Sequence, residues 1–205
     1  MAAKLNVLVL ESEQGAAEEA IRDLTEAGHA VLRCHEPGQP AFPCNALADD
    51  PACPLRTGVV DVAITVRGRP RTQPSPTEDG VSCALEQHVP LVVAGSTVLH
   101  PYEEWAAEVL TQSGDVVAAV ERAATAPMPR HGDRAQQALD EFLAFHEIAS
   151  QPRVEVRRHH GGLQVDVHGT GEIDHSLKGM ASVRIIAALR EVDPDAKGID
   201  VTFEA

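Results

Sequence analysis

The chain has 205 residues, of which 43% are hydrophobic, and a formal net charge of −14. This length is enough for one ordinary domain with a buried core and a small second domain. The excess of carboxylates excludes a protein that wraps nucleic acid, because such proteins need Lys and Arg to neutralise phosphates.

The first residues predict one complete β–α–β step. Residues 5–10 are an apolar run that ends at Glu11, as expected of a strand buried on both faces of a parallel sheet. Residues 17–27 have apolar side chains at helical spacing, and Gly28 follows where a glycine would end that helix. Residues 29–33 then predict the second strand.

Strands and helices continue to alternate as far as Pro127. The pattern predicts a third strand over 59–66, a short helix over 78–87 and a fourth strand over 90–94. A fifth strand over 106–111 could instead be the end of a helix, and Asp115 should cap a last helix over 115–126. Such alternation implies parallel strands with right-handed crossovers. We therefore predict a doubly wound parallel sheet, an α/β fold, in residues 1–126.

The remaining residues have a different pattern. We predict a linker and connecting helix in 127–150, with Phe145 on the apolar face of that helix, and a small α+β domain of ββαβ order in 151–205. Its hairpin should turn at Gly161-Gly162, and its helix, 176–192, should direct Val183 inwards. Residues 1–150 hold 10 basic and 22 acidic side chains, whereas 151–205 hold 7 and 9, so the acidity belongs mainly to the first part.

Residues 1–125 resemble the receiver domains of response regulators, which are flavodoxin-like. The resemblance depends on acidic residues after the first strand, the Ala27-Gly28-His29 step that closes the first helix, and hydroxyl residues after the fourth strand. It implies a magnesium site at Glu11 and Glu13. It also implies that Ser96 or Thr97 matches the Ser or Thr that follows the fourth strand of receivers.

The phosphoaccepting aspartate of receivers is missing, since Thr65-Val66-Arg67 end the third strand and Asp61 lies at its start. No Lys follows the fifth strand either. We therefore expect a pseudo-receiver that does not accept phosphate. Residues 127–205 resemble no family that we recognise.

All four cysteines fall in the first domain, near the carboxyl ends of its predicted strands. They are Cys34, beside His35, then Cys44, Cys53 and Cys83. Ligand sites in open α/β sheets lie at this edge. Zinc or an iron–sulfur cluster would use four thiolates, or three with His35, and would order a Pro-rich loop.

The spacing of the cysteines leaves other interpretations open. Nine, eight and twenty-nine residues separate successive cysteines, and no C-x-x-C motif is present. The spacing favours ordinary reduced or buried cysteines, and a disulfide such as Cys44–Cys53 is a further alternative, although a reducing cytosol disfavours disulfides.

Two further segments are candidate ligand sites. Glu11 and Glu13 could hold a divalent cation through carboxylate oxygens, with a solvated helix-capping turn as the competing interpretation. The run Gly95, Ser96 and Thr97 could bind an anion through backbone N–H groups, although most such turns are only turns.

These observations favour a non-catalytic regulatory or scaffold protein with a metal- or redox-responsive cysteine loop. The alternatives are a flavin or iron–sulfur electron-transfer protein of flavodoxin-like architecture and a structural subunit of a larger assembly. We expect a protein partner or a homo-oligomer, with no nucleic acid and no membrane. No run of about 18 apolar residues and no signal-peptide core is present, which predicts a cytoplasmic protein.

Overall fold

The computed structural model describes residues 4–35, 44, 53–96, 100–110, 114–171 and 173–204. The chain divides into two compact units, Met1–Ala126 and Pro127–Ala205. In the described part of the chain, no helix is both long and apolar enough to cross a membrane.

The described residues of the first unit contain five strands and three α-helices. In chain order they are β1 (Asn6–Glu11), α1 (Glu18–Glu26), β2 (Ala30–Leu32), β3 (Val62–Arg67), α2 (Gly80–Glu86), β4 (Leu91–Gly95), β5 (Glu108–Val109) and α3 (Val116–Thr125). Single 3₁₀ turns, Pro76–Glu78 and Glu103–Trp105, precede α2 and β5.

The five strands form one parallel sheet in the order β2-β1-β3-β4-β5. Val9 lies beside Ile64, and Ile64 lies beside Val92, so the apolar positions of neighbouring strands are in register. The predicted α/β fold is confirmed at this level. The strand order is consistent with a flavodoxin-like fold.

Alternate residues of the strands pack against helices on opposite faces of the sheet. One face contacts α1 and α3 through Val7, Val9, Val62, Ile64, Val66, Val92 and Ala94. The other contacts α2 and Tyr102 through Leu8, Leu10, Ala63, Leu91 and Val93. Because both faces are covered, the central residues of β1, β3 and β4 are almost all apolar, which is the pattern expected of strands in a parallel sheet.

Two predicted strands differ most from the structure, whereas β1, β2 and β4 each differ by one residue at each end. β3 begins at Val62, three residues later than the predicted 59, because the carboxylate of Asp61 accepts a hydrogen bond from the Asn6 N–H (2.8 Å). β5 is only Glu108–Val109, because the Ala106 N–H still donates to the Glu103 carbonyl of the preceding 3₁₀ turn (3.2 Å); residue 111 lies outside the described residues.

The second unit contains a mixed three-stranded sheet. Its elements are α4 (Pro129–Phe145), β6 (Arg153–His159), β7 (Gly162–His168), α5 (His175–Val192) and β8 (Ile199–Phe203). β7 lies in the centre, antiparallel to β6 and parallel to β8. The order of elements after α4 is the predicted ββαβ.

The hairpin turns one residue earlier than predicted. His160 and Gly161 have φ values of 48° and 76°, and Gly162 is already the first residue of β7, paired with His159. A Cβ at Gly162 would lie 2.6 Å from the Gly198 carbonyl oxygen, so this glycine is required for the close approach of the chain and not for the turn.

Both helices of this unit cover one face of its sheet. α4 and α5 enclose a core with Val154, Val156, Leu163, Val165 and Val167, so the helix predicted as a connector packs within the second unit. The prediction was wrong for two side chains, because Phe145 is 83% exposed and Val183 is 66% exposed. Each helix carries more apolar residues than one sheet face can bury.

Candidate functional site

The four cysteines line one pocket of about 270 Å³. His35 also lines it, together with the side chains of Leu55, Arg56, Pro76, Thr77, Asp79, Glu86 and Gln87 and with Gly80. We call this the thiol pocket and define it by Cys34, His35, Cys44, Cys53 and Cys83. The structure thus brings the five residues that the sequence singled out to the same place.

Three separate parts of the first unit supply the described pocket residues. Cys34 follows β2, Cys83 belongs to α2, and Cys53 begins a turn in which the Thr57 N–H donates to the Cys53 carbonyl (3.1 Å). Leu55, only 4% exposed, anchors that turn in the core beside α2. Cys44 also lines the pocket, and the residues on either side of it lie outside the described part of the chain.

The first residue of α2 lies directly against the Cys34 sulfur. A Cβ at Gly80 would be 2.8 Å from Cys34 Sγ and 2.8 Å from a methyl group of Leu10. Only glycine leaves room for this contact, which holds Cys34 between the sheet and α2.

The pocket keeps the thiols of Cys34 and Cys83 protonated at neutral pH. Burial, followed by repulsion from Cys53, Cys44 and Cys83, raises the pKa of the Cys34 thiol to about 12. Burial also raises the pKa of Cys83, with further contributions from Glu86, Cys44, Cys53 and Asp79. Because the thiolate is the reactive form of cysteine, these two residues are poor nucleophiles.

The four sulfur atoms line the same pocket, but the described residues form neither a disulfide nor a metal-binding group there. All four cysteines are free, so the structure contains no Cys44–Cys53 disulfide. Within the residues that the structure describes, no group of three or more His, Cys, Asp or Glu side chains is arranged to hold a metal ion. Any metal site here would require the sulfur atoms to move towards one another.

The predicted cation ligands make local contacts. Glu11 Oε2 accepts hydrogen bonds from the backbone N–H groups of Gly15 (3.0 Å) and Ala17 (3.3 Å), and Glu11 Oε1 lies 3.8 Å from Arg33 Nη1. Glu13 accepts a hydrogen bond from the Ser12 hydroxyl. The Glu11 carboxylate therefore orders the turn that leads into α1.

The predicted anion-binding turn has little free backbone. Gly95 has a φ of 81°, and a Cβ there would overlap the Arg67 carbonyl oxygen. The Ser96 N–H donates to that same oxygen at 2.6 Å, so it is not available to an anion in this conformation. Thr97 lies outside the described residues.

Sequence reasoning missed a buried ion pair beside the pocket. Arg67, the last residue of β3, pairs with Glu78 at 2.7 Å, and both side chains are fully buried. Glu78 also accepts from Thr65 and from the Ser75 N–H, and Arg67 donates to the carbonyl oxygen of Gln73. This network holds the loop between β3 and α2 against the sheet.

Two signals in the sequence could have revealed the pair. Ser75-Pro76-Thr77-Glu78 has the spacing of a capping box, which the structure contains. An arginine that ends a fully buried strand also needs a buried partner. Because ten residues separate Arg67 and Glu78, neither signal identifies the other residue of the pair.

No protein-family model matches the chain, and no curated protein matches it in sequence.

Proposed function

We propose that the chain is a non-catalytic regulatory or scaffold protein whose first unit binds a soft metal ion through the thiol pocket. The observation that carries this proposal is the convergence of all four cysteines and His35 on one pocket. Thiolate and imidazole ligands suit zinc, and four thiolates also suit an iron–sulfur cluster.

The first unit is, on this proposal, a doubly wound pseudo-receiver. The strand order and the helices on both sheet faces support the receiver-like architecture. Phosphotransfer is not part of the proposal, because the buried pair of Arg67 with Glu78 occupies the end of β3 where receivers carry an aspartate. The Glu11 carboxylate is likewise engaged by backbone N–H groups.

The thiol pKa values favour binding over catalysis. Thiols that are protonated at neutral pH attack poorly, yet a bound cation would offset the burial and the repulsion between cysteines that raise the pKa of Cys34. Metal binding would displace the thiol protons and draw the cysteines together. Since β2, the Cys53 turn and α2 carry the ligands, the ion would fix these segments to one another, and that change is the regulatory signal we propose.

An electron-transfer protein is the second candidate, because four thiols also fit an iron–sulfur cluster. Its flavin form has less support, since no Phe, Tyr or Trp is among the described residues that line the pocket. An absorption spectrum separates these alternatives, because zinc is colourless and both clusters and flavins absorb visible light.

Zinc titration against a chromophoric chelator tests the proposal. We expect one zinc per chain, with an affinity that rises with pH as thiol protons are displaced. Replacement of Cys34, Cys53 or Cys83 by Ser should weaken binding by more than about tenfold. Ser82→Ala is the control. It removes the hydroxyl group of the residue that precedes Cys83 in α2 and should leave the affinity for zinc unchanged.

Full-length protein that binds no zinc in its reduced form would contradict the proposal. So would cysteine variants that bind zinc as tightly as the parent chain, because the ion would then lie elsewhere.

A further inference from the structure

An exposed tryptophan lies at one edge of the sheet of the first unit. Trp105, the only tryptophan of the chain, is 54% exposed, and Val109 of β5 is 40% exposed. β5 is the last strand in the order β2-β1-β3-β4-β5 and pairs with β4. An edge strand beside exposed apolar side chains offers another chain a place to bind. We call Glu103, Glu104, Trp105 and Val109 the β5-edge surface.

Both apolar side chains lie on the face of the sheet that carries α2. Val109 is in register with Val93, which belongs to the core of that face together with Tyr102. The Trp105 ring packs against the Tyr102 ring, with 6.4 Å between the ring centroids, and Tyr102 itself is only 7% exposed. Because the exposed ring is supported by a buried one, it loses little conformational freedom when a ligand covers it.

The charge of this surface comes from two carboxylates that have no cation beside them. Glu103 and Glu104 directly precede Trp105 and are exposed. In the part of the chain that the structure describes, neither of them forms an ion pair. Glu108 differs, because it pairs with Arg122 at 3.0 Å. The β5-edge surface therefore presents two uncompensated negative charges beside an exposed aromatic ring.

The carboxylates and the ring favour the same kind of partner. Carboxylates attract a cation by Coulomb interaction, and the face of a tryptophan ring attracts a cation through its quadrupole. An arginine side chain satisfies both, because its planar guanidinium stacks on aromatic rings and donates paired hydrogen bonds to carboxylates. A purely apolar or an acidic partner would instead cover the two carboxylates and leave them unpaired.

A second copy of the chain is a poor source of that cation. The first unit has 8 basic and 18 acidic residues, and the second unit has 9 and 13, so both units carry a net negative charge. Two copies therefore repel each other. The partner that the charge favours is a different, basic chain.

A peptide segment also fits this surface better than a free amine does. An extended segment can lie along the edge of β5 and cover Val109, and its side chains can reach Trp105 and the carboxylates that precede it. A free amine would neutralise the carboxylates but would leave the apolar side chain of Val109 exposed.

We propose that the β5-edge surface binds an arginine-bearing segment of a partner protein, with guanidinium groups against the Trp105 ring and the carboxylates of Glu103 and Glu104. This inference does not depend on metal binding by the thiol pocket. It gives the acidic first unit a partner of opposite charge.

Fluorescence anisotropy of a labelled peptide, in which three arginines alternate with glycines, tests this surface on the full chain. We expect saturable binding, with a change in tryptophan emission over the same concentrations, because Trp105 is the only tryptophan. The same peptide with citrulline in place of arginine should bind at least about tenfold more weakly, since citrulline has the shape of arginine without its charge.

Substitutions separate the ring from the carboxylates. Trp105→Leu keeps an apolar side chain but removes the ring face, and it should weaken binding of the arginine peptide about threefold. Glu103→Gln combined with Glu104→Gln should weaken it at least about fivefold.

Asp195→Asn combined with Asp200→Asn is the matched control. Both aspartates are exposed in the second unit, so this variant loses the same two charges away from the β5-edge surface. Its affinity for the arginine peptide should stay within about twofold of the parent affinity. Because all substituted side chains are exposed, circular dichroism should show the parent fold in every variant.

Any one of three results would overturn the inference. The first is an arginine peptide that does not bind at up to about 1 mM. The second is equal affinity for the arginine and citrulline peptides. The third is an equal loss of affinity in the glutamate and aspartate variants, which would show a diffuse attraction to the acidic chain and no local surface.

Discussion

Gly80 and Cys34 are in direct contact, and a Cβ added at Gly80 would lie 2.8 Å from the Cys34 sulfur. The contact joins α2 to the segment that follows β2, and it fixes one side of the thiol pocket. Any side chain at position 80 must displace the sulfur or the leucine beside it.

Gly80→Ala should therefore destabilise the first unit by about 1–3 kcal/mol, as overpacking of a filled core does. Urea unfolding measures the change. Gly179→Ala is the control, because Gly179 lies in α5 with nothing within 4 Å of the added Cβ, and that change should stabilise the helix by up to about 1 kcal/mol. Equal stability of the parent and Gly80→Ala would contradict the contact.

The buried pair of Arg67 and Glu78 predicts that the free energies of unfolding in a double-mutant cycle are not additive. Arg67→Met or Glu78→Leu alone leaves a buried polar group without its partner and should cost about 3–5 kcal/mol. The double variant Arg67→Met with Glu78→Leu should cost less than the two single changes together. Additive costs in denaturant unfolding would show that the two side chains do not interact.

His100 should make the stability of the first unit depend on pH. Burial, with a smaller contribution from the charge of Arg67, lowers the pKa of His100 from 6.5 to about 4. Between these values the unfolded chain binds a proton that the folded chain excludes, so stability falls as the pH falls through this window. At pH 5 the loss relative to pH 7 should be about 2 kcal/mol.

The variant His100→Gln checks this effect by urea unfolding at both pH values. It should lose less stability between pH 7 and pH 5 than the parent chain, whereas His175→Gln, an exposed change at the start of α5, should lose as much. A parent chain and His100→Gln with the same pH dependence would show that His100 titrates normally.

Acetyl phosphate with magnesium should not phosphorylate the chain. Asp61 immediately precedes β3, at the opposite end from the strand end where receivers are phosphorylated. It is also only 4% exposed, and it accepts a hydrogen bond from the Asn6 N–H. Intact mass spectrometry, with a functional receiver treated in parallel, measures this. A phosphoryl group on any aspartate would contradict the pseudo-receiver assignment.

The sequence predicts the sheet well because its strands are buried on both faces. The runs that contain Val7–Leu10 and Val62–Val66 have too few polar residues for a half-exposed strand, and their alternation with helical segments predicts the parallel arrangement. Placement of four cysteines at one edge then follows from the direction of those strands. Asp115 likewise caps α3 as predicted, accepting from the Ala118 N–H at 3.1 Å.

Other features depend on contacts that a local pattern does not contain. Phe145 and Val183 fit helical spacing, yet that spacing does not distinguish a side chain that packs on the unit's own sheet from one that faces solvent. The partner of Arg67 lies across a Pro-rich loop, and the role of Gly80 appears only when Cys34 is placed against it. These are tertiary contacts between segments whose separation the sequence does not specify.

Elemental analysis of the reduced full-length protein, purified with neither added metal nor chelator and combined with a free-thiol count, tests the thiol pocket most directly. The proposal predicts about one zinc per chain, or stoichiometric iron with visible absorption, and fewer than four titratable thiols until the metal is removed. Four titratable thiols with no metal bound before or after incubation with zinc would contradict it.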